Sequence, residues 1–372
     1  MDGYRKKIII QDLIAPLYRR GIFELLDKDF NVTWLFGKGA DGIKELDWSL
    51  LKDVKEAKIV RFLNPFYLQK GIIKYLFSRK RISFVVNGEP YFVTSWVVSI
   101  LARIIPNKKV YFWTHGWYGR ESFLKKTIKK IYFRLPTKSF IYGNYARNLM
   151  MSNGLPSDKL VVIHNSLDYD VQLRIRERLK PSDIYKSHFK NNNANIIFIG
   201  RLTHSKRIDL LLSSVAQLSK KGLNFNVVLV GDGEGRKDLE QMVVKLNLPN
   251  VWFYGASYDE EQNAKLIYNS DFCVSPGNVG LTAIHCLTFG TPVLTHNDFP
   301  YQGPEFEVIE DGKTGAFFER NNELSLAMAI ENLNRIMSEC GRDTIRRNCY
   351  DKIDKEWNPN YQIRVFKEVL NS

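Results

Sequence analysis

Two cations, a pair of glycines and a short acidic run set the first chemical question. Arg201 follows Gly200 at the end of an apolar run, and Lys206 lies five residues on, just ahead of a helical pattern that starts near residue 208. A helix start favours negative charge, so two cations at its mouth are poorly explained by the helix itself. They suit a bound anion such as a diphosphate, to which a guanidinium offers paired donors and an ammonium a point charge. Incidental cations on a solvated loop are the plainer alternative. Further along, Gly277 and Gly280 permit close backbone approach, and the amides of Gly280, Leu281 and Thr282 would open a second helix toward the same phosphates. Glu305 and Glu307 follow as acidic groups. The turn V-G-D-G-E-G at 230–235 lacks the full G-x-G-x-x-G spacing and reads more simply as a glycine-rich turn into a helix.

The elements that position these residues repeat as strand, turn and helix. In the first half, strands are expected at 6–10, 31–37, 57–63, 82–88, 109–116, 139–143 and 159–166, with helical patterns at 66–77 and 91–105. Near-continuous apolar runs of this kind fit parallel strands covered on both faces. The polar stretch 181–195, ending in three asparagines, is the expected linker. A second alternation then runs from 195 to 318, with helices at 208–220, 235–246, 259–268 and 281–289. Two Rossmann-like, doubly wound α/β domains are therefore expected, one at 1–185, completed by a closing helix at 354–372, and one at 186–353. In such sheets ligands lie outside the carboxyl ends of the strands, and two facing domains would leave a cleft.

Composition narrows the classes. With 372 residues, 44% hydrophobic and 25% charged, the chain is long enough for two soluble cores. The apolar run after Lys7 stops at Gln11 and Asp12, too early for a signal peptide. Residues 91–105 are too few to span a bilayer and include Arg103. Four cysteines show neither metal-ligand spacing nor a disulfide framework, so reduced thiols of a cytoplasmic protein are expected and no metal site. Net charge is +14, divided as +18 over residues 1–190 and −4 over residues 191–372. The basic half suits nucleic acid, an anionic membrane surface or a polyanionic substrate. Within it, 119–135 sets Phe123, Leu124, Ile128 and Ile131 among Lys125, Lys126, Lys129 and Lys130, the pattern of a basic amphipathic helix lying on a membrane or packing its apolar face on the domain.

In order and spacing, G-R-L with Lys206 at plus five, V-G-D-G, the turn and helix ending G-T-P-V, and E-V-I-E-D-G-K-T-G at 307–315 resemble the nucleotide-sugar-binding domain of glycosyltransferase family 4, retaining enzymes of the GT-B fold. T-H-G at 114–116 and V-I-H-N-S-L-D at 162–168 are similar to motifs of that family's first domain, and I-A-P-L-Y-R-R at 14–20 to the opening of some members. The resemblance implies transfer of a hexose-type sugar from a nucleoside diphosphate sugar, the donor substrate, to a glycan or lipid-linked acceptor, with no cofactor and no obligatory metal. Arg201, Lys206 and the helix start would stabilise the leaving diphosphate, whose oxygen takes the acceptor's proton. His115 would contact the donor sugar or transition state, and Ala15, Pro16, Tyr18 and Arg19 would lie on the acceptor side. The family carries two glutamates eight apart that meet hexose and ribose hydroxyls; here those positions are Gly277 and His285, leaving Asn278, His285, Glu305 and Glu307 as candidates, with Glu307 in the family's position. Capsule, O-antigen or exopolysaccharide synthesis on the inner face of the cell membrane is the implied setting, as a peripheral protein. A sugar nucleotide epimerase of the same fold and a non-catalytic sugar-nucleotide-binding scaffold are the rivals; no nucleic-acid module is recognisable, and no nucleic-acid partner is expected.

Overall fold

A computed structural model describes residues 6–39, 44–62 and 64–371. The chain divides into two compact units, Met1–Asp168 with Asn358–Ser372, and Tyr169–Trp357. The division falls at 168/169 rather than the expected 185/186, and the supposed linker is structured. Helix Ile184–Phe189 lies within it, and the buried Tyr185 hydroxyl donates to the Leu266 carbonyl at 2.7 Å, fixing that helix to the second unit.

The first unit holds a seven-stranded sheet in the order β3-β2-β1-β6-β7-β8-β9. Its strands are β1 (Lys7–Asp12), β2 (Asn31–Phe36), β3 (Val54–Glu56), β6 (Ile82–Asn87), β7 (Lys108–Thr114), β8 (Lys138–Ile141) and β9 (Leu160–Val162), all paired in parallel. β4 (Ile59–Arg61) and β5 (Tyr67–Gln69) form a separate antiparallel hairpin. The strand expected at 57–63 is this hairpin arm instead of a sheet strand, and its last residue lies outside the described residues. The helix expected at 66–77 is replaced by β5 and a single 3₁₀ turn, Ile73–Tyr75. Gly71, at φ +101°, interrupts the run with a conformation no helix accepts.

Isoleucines in β1 divide by alternation: Ile8 and Ile10 enter the core on one face and Ile9 that on the other. Helix Pro359–Asn371 closes the first of these cores. Phe366 packs against Phe140 and Trp113 at 4.3 and 5.1 Å between ring centres. Gln362 then accepts from the Ser166 hydroxyl and donates to the His164 carbonyl, both at 2.7 Å, pinning that helix to the end of the unit's own chain.

The second unit holds six parallel strands in the order β12-β11-β10-β13-β14-β15. These are β10 (Ala194–Ile199), β11 (Phe225–Val230), β12 (Val251–Gly255), β13 (Phe272–Ser275), β14 (Val293–His296) and β15 (Gly315–Phe318). In both sheets the chain winds outward on one side and returns to start the other beside its first strand, so the switch points lie between β1 and β6 and between β10 and β13. Those are the places where a doubly wound sheet opens a crevice for a ligand.

Candidate active site

In the second unit the turns after β10 and β13 flank the switch point. The turn after β10 is braced by the turn after β11. Gly200 N–H donates to the Val230 carbonyl, Leu202 N–H to that of Asp232, and Gly235 N–H to that of Leu202. The two backbones approach so closely that a Cβ on Gly231 would lie 1.9 Å from the Gly200 oxygen. The V-G-D-G glycines thus support the neighbouring turn, in agreement with the simpler reading of that motif.

Against this base Arg201 is exposed, and among the described residues its guanidinium makes no hydrogen bond or ion pair. Lys206 is half-buried and donates from Nζ to the Asn278 carbonyl at 2.6 Å. Burial lowers its pKa first, then the charge of Arg201, while Glu305 acts in the opposite sense. Two like charges therefore stand together, one without a partner and the other held by a neutral carbonyl. That arrangement costs energy in the free protein and is relieved by an anion.

The turn after β13 meets the same lysine. Gly277 N–H donates to the Lys206 carbonyl at 3.0 Å, and a Cβ on Gly277 would lie 2.3 Å from the Ser205 oxygen. Glycine at the first family-glutamate position is therefore a packing requirement here. Gly280 adopts φ +53°, turning the chain into helix Thr282–Thr288. The Thr282 hydroxyl donates to the Ile199 carbonyl, tying that helix start, with Leu281 just before it, to the end of β10.

Asn278 and Glu305 come together at Gly303. The Asn278 carboxamide oxygen accepts from Gly303 N–H at 3.3 Å, and a Cβ on Gly303 would lie 2.5 Å from a Glu305 carboxylate oxygen. Glu305 is buried, whereas Glu307 is half-buried two residues on in the same 3₁₀ segment, Pro304–Val308. The packing thus brings Glu305 to the Lys206 neighbourhood. His285 is held elsewhere: its Nε2 lies 3.0 Å from Glu260 Oε1, which also accepts from Gln172 at 2.8 Å. Burial raises the Glu260 pKa, but the charge and hydrogen bond of His285 outweigh it and the net shift is downward.

The residues that sequence reasoning missed are supports. Gln302, 2% exposed, accepts from Val279 N–H at 2.9 Å and donates to Thr295 and to the His296 carbonyl, so it holds the 277–280 turn from beneath. Gln172 precedes the glycine motifs, Glu260 lies between two of them, and neither carries a pattern of its own.

In the first unit, the carboxyl ends of β1, β6 and β7 assemble a second group. Arg19 donates to Asp12 at 2.7 Å and to the Tyr142 hydroxyl at 2.5 Å, and its guanidinium lies 5.1 Å from the Trp113 ring. Asn87 donates to the other Asp12 oxygen at 3.0 Å. Arg19 is thereby committed within its own unit. Ala15 and Pro16 are buried, with the Ala15 carbonyl accepting from Leu46 N–H and Pro16 bridged to Glu45; Tyr18 is half-buried beside them. His115 follows β7, its ring 5.1 Å from that of Tyr142. Its ring nitrogens make no hydrogen bond among the described residues. Burial, followed by the Arg19 charge, lowers its pKa to about 4, so the imidazole is neutral near pH 7. Glu89, after β6, accepts from Thr114 at 3.2 Å, and burial raises its pKa. The signal for Asp12 and Glu89 was their place at strand ends, in I-I-I-Q-D and V-V-N-G-E-P.

Comparison with known proteins bears on the second unit most directly. Residues 180–340 match the family model described as "Glycosyl transferases group 1". This stretch is similar to group 1 glycosyltransferase domains. An uncharacterized glycosyltransferase of Methanocaldococcus jannaschii, MJ1607, is 24% identical over 56% of this chain and 55% of its own length. An uncharacterized 41.2 kDa protein in the cps region of Klebsiella pneumoniae is 26% identical over 64% of this chain and 67% of its own. The matches thus span a little over half to two thirds of these relatives. Among solved structures, HepE of Anabaena in complex with UDP superposes with a TM-score of 0.70 at 17% identity, covering 98% of this chain and 99% of that one. The fold is GT-B, with two Rossmann-like domains, and Arg201 and Lys206 fall inside the matched stretch.

Proposed function

We propose that the protein is a metal-independent, retaining glycosyltransferase of family 4. It transfers a hexose-type sugar from a nucleoside diphosphate sugar to a glycan or lipid-linked acceptor. The observation that carries this reading is Arg201, exposed and without a hydrogen-bond or ion-pair partner among the described residues, beside a Lys206 bonded to a neutral carbonyl. As the bond from the anomeric carbon to the diphosphate oxygen breaks, charge gathers on the leaving group. Cations already in place stabilise that charge without reorganisation and take the part a divalent ion would otherwise have. The bond from the acceptor oxygen forms at the same carbon, and the acceptor's proton passes to the departing diphosphate oxygen. His115, neutral and with open ring nitrogens, accepts a hydrogen bond from a donor hydroxyl. The UDP bound by HepE supports a uridine nucleotide, and the cps-region relative supports capsule or related polysaccharide synthesis.

Helix Phe123–Tyr132 supports a peripheral site on the inner membrane face. Phe123 is 86% and Leu124 68% exposed, beside exposed Lys125 and half-buried Lys126, Lys129 and Lys130. Among the described residues no helix is long and apolar enough to cross a membrane. The test is a thermal-shift screen of UDP- and GDP-sugars, followed by product analysis with a lipid-linked acceptor. Stabilisation by one sugar nucleotide and transfer of its sugar are the expected results. If no sugar nucleotide raises the melting temperature, the reading fails.

A further inference from the structure

The amino ends of the first sheet carry another basic site, at the opposite end of the strands from Asp12 and His115. There a groove of about 1200 Å³ is lined by Lys6, Lys7, Lys80, Arg81, Lys108 and Lys109, and among the described residues no carboxylate lines it. Three of these cations are occupied. Lys108 donates to the Ser78 and Lys80 carbonyls, both at 2.8 Å, which fixes the 78–81 segment to β7. Lys7 meets Asn31, Thr33 and, at 3.8 Å, Asp53, while Lys6 reaches the Leu370 carbonyl. Lys80, Arg81 and Lys109 are exposed and make no side-chain hydrogen bond or ion pair among the described residues. Burial lowers the Lys6 pKa, and Lys109 and Arg81 lower it further, as expected where positive charge is uncompensated.

Close in sequence to the groove wall are two apolar side chains in water. Phe77, 71% exposed, directly precedes Ser78; Ile104, 76% exposed, ends helix Val93–Ile104, three residues before Asn107 in the groove wall. A phosphate-rich polymer would satisfy the cations. It would leave Ile104, which has no ring for a base to stack on, in water. A lipid surface satisfies both, with phosphates at the cations and hydrocarbon at the two apolar residues.

We propose that this groove binds the headgroups of an anionic lipid surface, with Phe77 and Ile104 entering the acyl boundary. The site is separate from helix Phe123–Tyr132 but rests on the membrane-facing part of the proposed function. The full chain is floated with vesicles of phosphatidylglycerol and phosphatidylcholine, with phosphatidylcholine alone, and mixed with duplex DNA at the same salt. UDP thermal shift is read in parallel. Each cation contributes about fivefold to retention, so Lys80→Gln/Arg81→Gln/Lys109→Gln lowers partition onto the anionic vesicles about a hundredfold. Phe77→Ser/Ile104→Ser weakens partition without changing its salt dependence. Both variants keep the wild-type UDP shift.

Equal flotation of the charge variant and the wild type overturns the proposal, as does equal retention on phosphatidylcholine alone. DNA binding that is lost in the charge variant assigns the groove to nucleic acid instead. Charge-dependent flotation by a protein that UDP does not stabilise removes the donor reading while upholding the groove.

Discussion

Replacing Arg201 with alanine isolates the diphosphate interaction, because the side chain supports nothing in the free protein. It is exposed and has no partner among the described residues, so the melting temperature of the unliganded variant should stay at the wild-type value. A hydrogen bond involving a charged group contributes about 1.5–3 kcal/mol, so loss of the guanidinium should weaken UDP binding about tenfold to a hundredfold. Lys206→Met behaves differently. It removes the ammonium and also leaves the Asn278 carbonyl without its 2.6 Å donor. The unliganded protein should lose about 1 kcal/mol, while UDP affinity falls by a factor similar to that of Arg201→Ala. The effects should not add, since each cation destabilises the other and removing one relaxes its neighbour. Calorimetric titration with UDP, and with uridine as a ligand lacking phosphates, provides the measurement. Uridine should bind both variants as it binds the wild type. If Arg201→Ala leaves UDP affinity unchanged, or weakens uridine as much as UDP, the cations do not read the diphosphate.

Three other substitutions test the surrounding structure. Gly277→Ala should destabilise the second unit by about 2 kcal/mol in urea unfolding, because its Cβ would lie 2.3 Å from the Ser205 oxygen; wild-type stability would show that the turn yields easily. His115 titrates near pH 4 when folded against an ordinary value of 6.5, so between these values the unfolded chain binds more protons. Stability should therefore fall as pH drops from about 6.5 to about 4, and His115→Gln should flatten that slope in pH-dependent unfolding. His285→Glu would set two carboxylates against each other at Glu260 and cost about 1–3 kcal/mol, with Glu260→Gln added to it restoring most of the loss; a stable single variant would contradict the pairing.

Much of the second unit was legible because its strands are continuous apolar runs and its turns are marked by glycine. Its helix boundaries fall within a residue or two of the expected ones, as at Ile208–Lys220 and Arg236–Lys245. The first unit was harder where apolar residues cluster without a clear period. Phe66 and Tyr67 belong to a hairpin region whose register depends on contacts with 59–61, which local spacing does not encode. The linker reading failed for a related reason. The polar surface of 181–195 conceals one buried anchor, Tyr185, whose hydroxyl partners come from residues 266 and 270. At the site, charge and glycine spacing drew attention to Arg201, Lys206 and Gly280. Gln302 and Glu260 were not visible because their significance lies in partners distant along the chain.

Those distant partners also account for the two departures from the family pattern. A glutamate at 277 would require the turn to leave Ser205 and surrender the bond from Gly277 N–H to the Lys206 carbonyl, which helps to place the lysine. Glycine is retained there, and a carboxylate reaches the neighbourhood from residue 305 beside Asn278 and Gly303. At 285 the change runs in the same direction. Glu260 occupies the space next to this helix, so a second carboxylate would repel it, whereas an imidazole hydrogen-bonds to it and helps keep it ionised. Both substitutions move negative charge from the motif helix onto neighbouring segments. The acidic character persists while the residues that supply it change, and a motif search centred on the helix alone misses both donors of that charge.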